Sequence, residues 1–518
     1  MTTPADQAPP TGRADEAPDD HHRISGHSTA DTTAAAAGGV MWSTVALLVR
    51  QIGRLGFAIL LARWIGPADF GIAAEATIYV ALNAMLLETG FASLVVQRDR
   101  LRDADVGAAQ TLSMGVALVI AALTVLLAGP IATLMDSPQL APVLMWLSVC
   151  PILKALAVVP AGYINRYLRF RALAVTEILA TIAGGAAGIT AAVSGMGYWA
   201  LVVQQISTDV LVAVCMLVAS GWLPWRTDRA AIRETASFGG KVITGQGLGY
   251  LTRNLDSVLI ASVLGAVPLA FYTIAYRVMT VPVQLLGSAA NRISFPVFSR
   301  LQDRPADARR LFLRSSQVMA MAVFPVMITV ALASREIVAL VFGEVWLPAV
   351  PAMQVLAVTS IIQVLVTASG ALYLAAARVD LTLRWSIIPL VVCSIAFVAG
   401  LPWGITGVAV AYCAATFLLA PFQLRAAGNL VGLRLREWVW AILPFTLAGA
   451  IATVAGLAVR WVLADSAYWL VLPAVVVVVP AAFLGALAVR RRDLIQMAVR
   501  AAKMILKGRS GITVPDAA

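Results

Sequence analysis

The stretch Ser43–Gly71, STVALLVRQIGRLGFAILLARWIGPADFG, decides the fold. Its apolar run is long enough to cross a hydrocarbon core of about 30 Å as an α-helix. Arg50 and Arg54 nonetheless fall near its middle, one helical turn apart. Each charge at that depth costs about 2.5–3.5 kcal/mol on insertion scales. Such charges are tolerated where they face a bundle interior or a water-filled cavity rather than lipid. Gly66 and Pro67 then interrupt the run, and a second apolar run follows at once.

The same pattern continues along the chain. The 518 residues are 60% hydrophobic and only 13% charged, which excludes a soluble globular enzyme. The runs are too long for barrel strands. The expected fold is therefore an all-α polytopic membrane protein of about fourteen transmembrane helices, spread over residues 40–489. Residues 1–37, rich in Pro, Ala, Asp and Thr, read as a disordered cytoplasmic tail. Spans one to six fall in 38–223, spans seven to twelve in 224–430 and two more in 431–490, with a basic cytoplasmic tail over 491–518.

The formal net charge is +11. The basic residues sit in short loops between apolar runs, so they read as a topology signal, and no nucleic-acid partner is expected. Loops after even-numbered spans hold Arg98, Arg100 and Arg102, then Arg166, Arg169 and Arg171, then Arg300, Arg304, Arg309 and Arg310. Loops on the other side hold chiefly Arg63 and Arg460. By the positive-inside rule both termini are cytoplasmic. The opposite loops, such as GPADFG and PWGI, leave no room for an outer catalytic domain. All three histidines precede the first span, and Cys150, Cys215, Cys393 and Cys413 lie singly in apolar runs, where they read as small buried hydrophobes. No metal site, nucleotide-binding P-loop or cofactor is expected.

An offset of 199 residues lays spans seven and eight over spans one and two. Arg253 then falls on Arg54, Leu259 on Leu60, Ala261 on Ala62, Gly265 on Gly66 and Ala275 on Ala76. Six spans per repeat preserve orientation, so the halves would form two six-helix lobes around a central cavity, with two further C-terminal helices.

Helical spacing gathers polar residues into stripes. Span one carries Arg50, Gly53, Arg54 and Phe57, and span two Glu75, Asn83 and Glu88. Span seven carries Gln246, Gly249, Arg253 and Asp256, with Asn254 beside the arginine. Span eight carries Thr273, Arg277, Thr280, Gln284 and Ser288. The surplus of arginine over acid points to an anionic ligand, because the planar guanidinium fork binds phosphate oxygens bidentately and stays charged. The substrate-binding candidates are Arg50, Arg54, Arg253, Arg277, Asn254 and Gln246. Static pairing is the alternative: Asp256 neutralising Arg253 on its own helix, and Glu88 pairing with Arg50 across helices. Glu88 and Asp256 are also the candidates for coupling H⁺ or Na⁺. Lys154, Glu177 and Asp209 are isolated intramembrane charges, read as local pairs ahead of ion sites. Gly184, Gly185 and Gly188 read as points of close helix approach.

LLARWIGPADFG, SFGGKVITGQGLGYLTRNLDSVLIASVLG and SFPVFSRLQ resemble signatures of the polysaccharide-transporter branch, the Wzx-like lipid-linked oligosaccharide flippases, of the multidrug/oligosaccharidyl-lipid/polysaccharide flippase superfamily. The resemblance covers residues 38–430. It implies a cavity lined by spans one, two, seven and eight, alternating access, and a polyprenyl-pyrophosphate-linked oligosaccharide moved from the inner to the outer leaflet of a bacterial cytoplasmic membrane. It places the cavity arginines at Arg50, Arg54, Arg253 and Arg277. It implies membrane lipids, a polysaccharide polymerase and glycosyltransferases as partners. Asp256 departs from a purely cationic span seven. The rival readings are a lipid II flippase, a drug/cation antiporter of the same superfamily, which would want acids in its cleft, and a non-transporting scaffold of polysaccharide assembly.

Overall fold

Lipid offers no partner for a backbone N–H or C=O, so a chain of this hydropathy crosses it as helices. The computed structural model describes residues 29–88, 90–98, 101–221, 225–301, 304–376, 378–464 and 466–490. Within them it describes side chains except those of 29–48, 88, 90, 93, 97, 237–253, 285–296, 299, 379 and 490. The described residues are almost entirely helical, with no strand among them. In chain order the helices are α1 (Thr29–Glu88), α2 (Gly90–Gln97), α3 (Asp103–Leu134), α4 (Leu140–Leu147), α5 (Val149–Arg166), α6 (Phe170–Val193), α7 (Trp199–Ser220) and α8 (Arg229–Leu264). They continue as α9 (Ala266–Arg300), α10 (Pro305–Leu332), α11 (Ser334–Ile337), α12 (Val350–Ala375), α13 (Val379–Gly400), α14 (Gly404–Val431), α15 (Leu435–Val462) and α16 (Tyr468–Arg490).

Among the described residues, eleven segments are long and apolar enough to cross a membrane. Two of these, Val49–Leu87 and Asp380–Val431, contain a helix break, at Gly66 and Gly404, where the sequence reading counts separate spans. Helix α1 begins at Thr29, inside the stretch read as a disordered tail. Ala34–Ala37, the best helix formers, extend the first span's helix toward the N-terminus.

Packing is inverted relative to a water-soluble bundle. Helix α3 buries Gln110, Ser113, Ala117, Ala121, Thr124, Ala128 and Ala132 and exposes Leu118, Val119, Leu123, Leu126 and Leu127. Lipid solvates leucine as well as a core does, so the small and polar face turns inward, where it lets backbones approach. Helix α6 follows the same rule. A Cβ at Gly185 would stand 2.3 Å from the Phe57 ring, one at Gly188 2.8 Å from Gln204, and Gly184 is pressed on Thr208 of α7. The glycines read as contact points therefore hold α6 against α1 and α7.

Helices α1, α3, α5, α6 and α7 pack chiefly on one another, and so do α9, α10, α12, α13 and α14. Helices α15 and α16 lie together against α10, and α1 meets α9 between the two sets. The internal repeat is visible in the backbone. Gly66 (φ 69°, ψ 172°) and Gly265 (φ 90°, ψ −179°) break their helices in one conformation, which a Cβ would strain. Two further positive-φ pairs, Asp136 with Gly343 and Gly197 with Gly404, follow at an offset of 207. Burial agrees as well: Leu61, Ala62, Phe70 and Ala76 are buried, and so are their counterparts Ile260, Ala261, Leu269 and Ala275.

These repeated turns meet. Gly71 lies so close to α9 that a Cβ there would stand 2.3 Å from the Ala266 carbonyl oxygen. The buried Trp346 donates its indole N–H to Ala62 O at 3.1 Å and takes Phe70 edge-on, with centroids 5.3 Å apart. Arg63 donates to Leu340 O at 3.0 Å. This end of the bundle is thus sealed by an apolar cluster. At the other end Arg98 bridges Asp105 on α3 and Glu234 on α8, the latter at 2.5 Å, and Arg102 reaches Asp105 at 2.9 Å. Burial opposes the Arg98 charge, but the two carboxylates hold its pKa above the ordinary arginine value. Thr227 donates to Ala104 O at 3.2 Å, and Gly107 admits the backbone of Arg226. The segment entering α8 is thereby fastened to α3.

Candidate substrate cavity

A cavity of about 930 Å³ lies between the sealed apolar end and the arginine-rich end. The helix break at Gly66 lets both parts of α1 line it, with Arg50, Arg54 and Phe57 on one side and Thr77 and Val80 on the other. Helices α5, α6 and α7 contribute Lys154, Glu177, Gln204, Thr208 and Asp209, and α9 contributes Arg277, Thr280 and Gln284. The lining holds four cations (Arg50, Arg54, Lys154 and Arg277) against two carboxylates (Glu177 and Asp209), a surplus of two positive charges.

Both carboxylates are engaged. Arg50 donates to Glu177 at 3.0 Å across α1 and α6. Lys154 donates to Asp209 at 3.0 Å, and Gln205 donates to the other Asp209 oxygen at 3.0 Å. The three charges that look isolated in sequence thus all find partners, because helices distant in the chain are adjacent in the bundle. The Lys154–Asp209 pair is largely withdrawn from water, at 14% and 5% exposure. Asp209→Ala would leave the ammonium without this carboxylate, and is expected to cost about 3–5 kcal/mol of stability. The double exchange Lys154→Met/Asp209→Leu should cost much less. Thermal unfolding in detergent distinguishes the two, and equal losses would mean that the pair is not the stabilising unit.

Arg277 lines the cavity and makes no ion pair among the described residues. Near it Gln284 accepts from Gln51 at 2.5 Å, which ties α9 to α1. Arg50, Arg54 and Arg277, which the resemblance placed in one cavity, all line this one.

Span seven differs from the expectation. No described residue of α8 lines the cavity, and Asn254 lies outside its lining. Asp256 is 3% exposed and turned away from the cavity. Its carboxylate accepts from the Tyr272 hydroxyl at 2.8 Å and the Ser257 N–H at 2.7 Å, so these donors hold it. The side chains of Gln246, Arg253 and Glu88 lie outside the described residues. Arg50 takes Glu177 as its partner, where the sequence offered Glu88. Glu75 and Asn83 do not line the cavity either. Helices α5, α6 and α7 were missed as walls. Lys154, Glu177 and Asp209 were the available signal, since three charges within apolar runs imply a shared polar surface. The four cysteines are free, but only Cys150 is fully buried.

Residues 60–351 match the family model described as polysaccharide biosynthesis protein. The lipopolysaccharide biosynthesis protein WzxC of Escherichia coli (strain K12) is 26% identical over 362 residues, covering 67% of this chain and 72% of that protein. The teichuronic acid biosynthesis protein TuaB of Bacillus subtilis (strain 168) is 24% identical, covering 67% and 72%. Among solved structures, a lipid II flippase MurJ in an inward closed conformation superposes with a TM-score of 0.71 at 14% identity, covering 88% of this chain and 100% of that one. An inward-facing multidrug resistance MATE transporter of the MOP superfamily gives 0.60 at 13%, covering 77% and 99%. The fold is therefore that of this transporter superfamily. With its family match spanning more than half its length, the chain belongs to the polysaccharide biosynthesis protein family.

Proposed function

We propose that this protein is a flippase that carries a polyprenyl-pyrophosphate-linked oligosaccharide from the inner to the outer leaflet of a bacterial cytoplasmic membrane. The observation that carries the proposal is the cavity's cationic surplus, held by arginines at mid-depth on α1 and α9. A pyrophosphate is the anion such guanidinium forks suit. The volume lies at the upper end of the range for small-molecule sites, about 300–1,000 Å³, which fits a head group with its first sugars. The lipid tail stays in the bilayer. Outward passage of the anionic head group is favoured by about 2.3 kcal/mol per charge per 100 mV of inside-negative potential.

The protein acts as a transporter and carries out no bond chemistry of its own in this reading. Both termini are cytoplasmic, so the cavity lies toward the inner face and the Trp346 cluster forms the outer seal. The two helix sets act as lobes, 38–223 and 224–430, that rock about the matched turns at Gly66 and Gly265. A polymerase and glycosyltransferases of the same assembly line act before and after it. The names of WzxC and TuaB support a polysaccharide precursor as cargo. The MurJ likeness favours a second reading, in which the cargo is lipid II. Arg54 and Arg277 oppose the drug/cation antiporter, which wants acidic groups free in its cleft.

Mass spectrometry of lipids that co-purify from the native membrane tests this. A polyprenyl-pyrophosphate oligosaccharide is the expected species, and its mass separates a polysaccharide repeat from lipid II. Ordinary phospholipid alone would sink the proposal.

A further inference from the structure

The uncharged polar groups of the cavity wall are mostly spent within the protein. Thr77, Thr181, Thr208 and Thr280 each donate to a backbone carbonyl three or four residues back on their own helix, at 2.7–3.2 Å. Gln51 and Gln284 bond to each other, and Gln205 donates to Asp209. Gln204 lines the same cavity, and among the described residues its side-chain amide has no hydrogen-bond partner. A primary amide both donates and accepts. Adjacent sugar hydroxyls call for both, whereas phosphate oxygens call only for donors.

The turn of α6 over residues 184–188 sets this amide beside an aromatic ring. On one side, a Cβ at Gly188 would stand 2.8 Å from Gln204 Cβ, and one at Gly184 would collide with the Thr208 hydroxyl. On the other side, three consecutive atoms of the Phe57 ring lie 2.3–2.4 Å from where a Gly185 Cβ would stand, so the ring lies face-on against α6. Its opposite face is the one left for the cavity, which Phe57 lines.

Both groups lie nearer the sealed end than the arginine layer. Phe57 is three residues beyond Arg54 in the direction of Gly66, about 4.5 Å along α1. Helix α7 starts at that same end, where Ala200 joins the apolar cluster of Trp346 and Phe70. Gln204 follows Ala200 by about one turn.

We propose that Gln204 and Phe57 form a sugar subsite that receives a neutral hexose joined to the pyrophosphate, so that the glycan lies toward the sealed end, ahead of the phosphates. The proposal rests on the flippase reading above and adds to it which groups read the sugar. The pyrophosphate sits at Arg54 and Arg277. The first sugar is bonded directly to the second phosphate, which places its ring about one helical turn further on. The Phe57 face takes the C–H side of the pyranose, which is apolar. The Gln204 amide bridges two neighbouring hydroxyls. A site built to hydrogen-bond a hydroxyl discriminates against the analogue that lacks it. The subsite carries no charge, so it selects for the sugar and adds no attraction for phosphate itself.

Binding of two probes to the purified protein in nanodiscs tests this: undecaprenyl pyrophosphate, and the same lipid bearing one glucose. Native mass spectrometry at graded lipid concentrations gives both affinities. The wild type should bind the glucose-bearing lipid at least about tenfold more tightly than the bare one. Gln204→Leu should lose that preference while binding the bare lipid as the wild type does, and Gln204→Asn should restore part of it. If Gln204→Leu does not fold, Gln204→Ser serves with the same expectation. Phe57→Leu should lose the preference too, and Phe57→Tyr should keep it. Arg54→Ala/Arg277→Ala should weaken both lipids alike. Equal affinity of the wild type for the two lipids, or a preference that survives in Gln204→Leu, would overturn the subsite and leave the flippase reading standing. A loss in Phe57→Leu shared equally by both lipids would overturn the stacking role. A wild type that binds neither lipid would sink the flippase reading and the subsite with it.

Discussion

The double variant Arg54→Ala/Arg277→Ala should co-purify at least about 100-fold less lipid-linked oligosaccharide than the wild type. A hydrogen bond to a charged group contributes about 1.5–3 kcal/mol, and each 1.4 kcal/mol is tenfold in affinity. Two guanidinium groups on one pyrophosphate therefore account for two orders of magnitude or more. Protein levels should be unaffected, because removing mid-membrane charges lowers the cost of insertion. Lysine at both positions keeps the charge but loses the planar fork, and should restore part of the binding. Quantitative mass spectrometry at matched protein amounts checks the series. Full retention by the double alanine variant would move the anion site elsewhere in the cavity.

Gly71→Ala is expected to open the Trp346 end, the outer end in the proposed orientation. Its Cβ would stand 2.3 Å from the Ala266 carbonyl oxygen, and backbone cannot swing aside as a side chain can. Overpacking of this kind costs about 1–3 kcal/mol. That cost falls on the sealed conformation alone, so the outer-open state should gain about 10–100-fold in population. A cysteine placed at Gln204, a cavity-lining position, reports this. In a background lacking the four native cysteines, a membrane-impermeant thiol reagent added outside intact cells should label it at least about tenfold faster in the Gly71→Ala protein. Gly107→Ala, which crowds Arg226 O at the opposite end, should not raise labelling from outside. An unchanged rate in Gly71→Ala would show that this contact does not form the seal.

Much of this protein was legible before any coordinates. Long apolar runs in a chain 13% charged admit little besides membrane helices, because lipid removes every other way of satisfying the backbone. Arg50 and Arg54 announced a cavity for a simple reason, since their burial in lipid would be prohibitive. Arg277 lies on another helix, where periodicity fixes only a polar face, and the family resemblance set it beside them. The repeat was legible in Gly66 and Gly265, which a backbone requirement holds in one conformation at matched places.

Which helices surround the cavity was decided only by tertiary structure. Periodicity says that a residue faces inward, but an inward face can meet the cleft or the interior of its own lobe. Glu75 and Asp256 belong to the second kind. Each occupies the polar side of its helix, and each is buried away from the cavity. The partners of Arg50 and Lys154 lie 127 and 55 residues away in the chain. No local pattern relates such positions, and only the docking of α6 and α7 on α1 and α5 makes them neighbours.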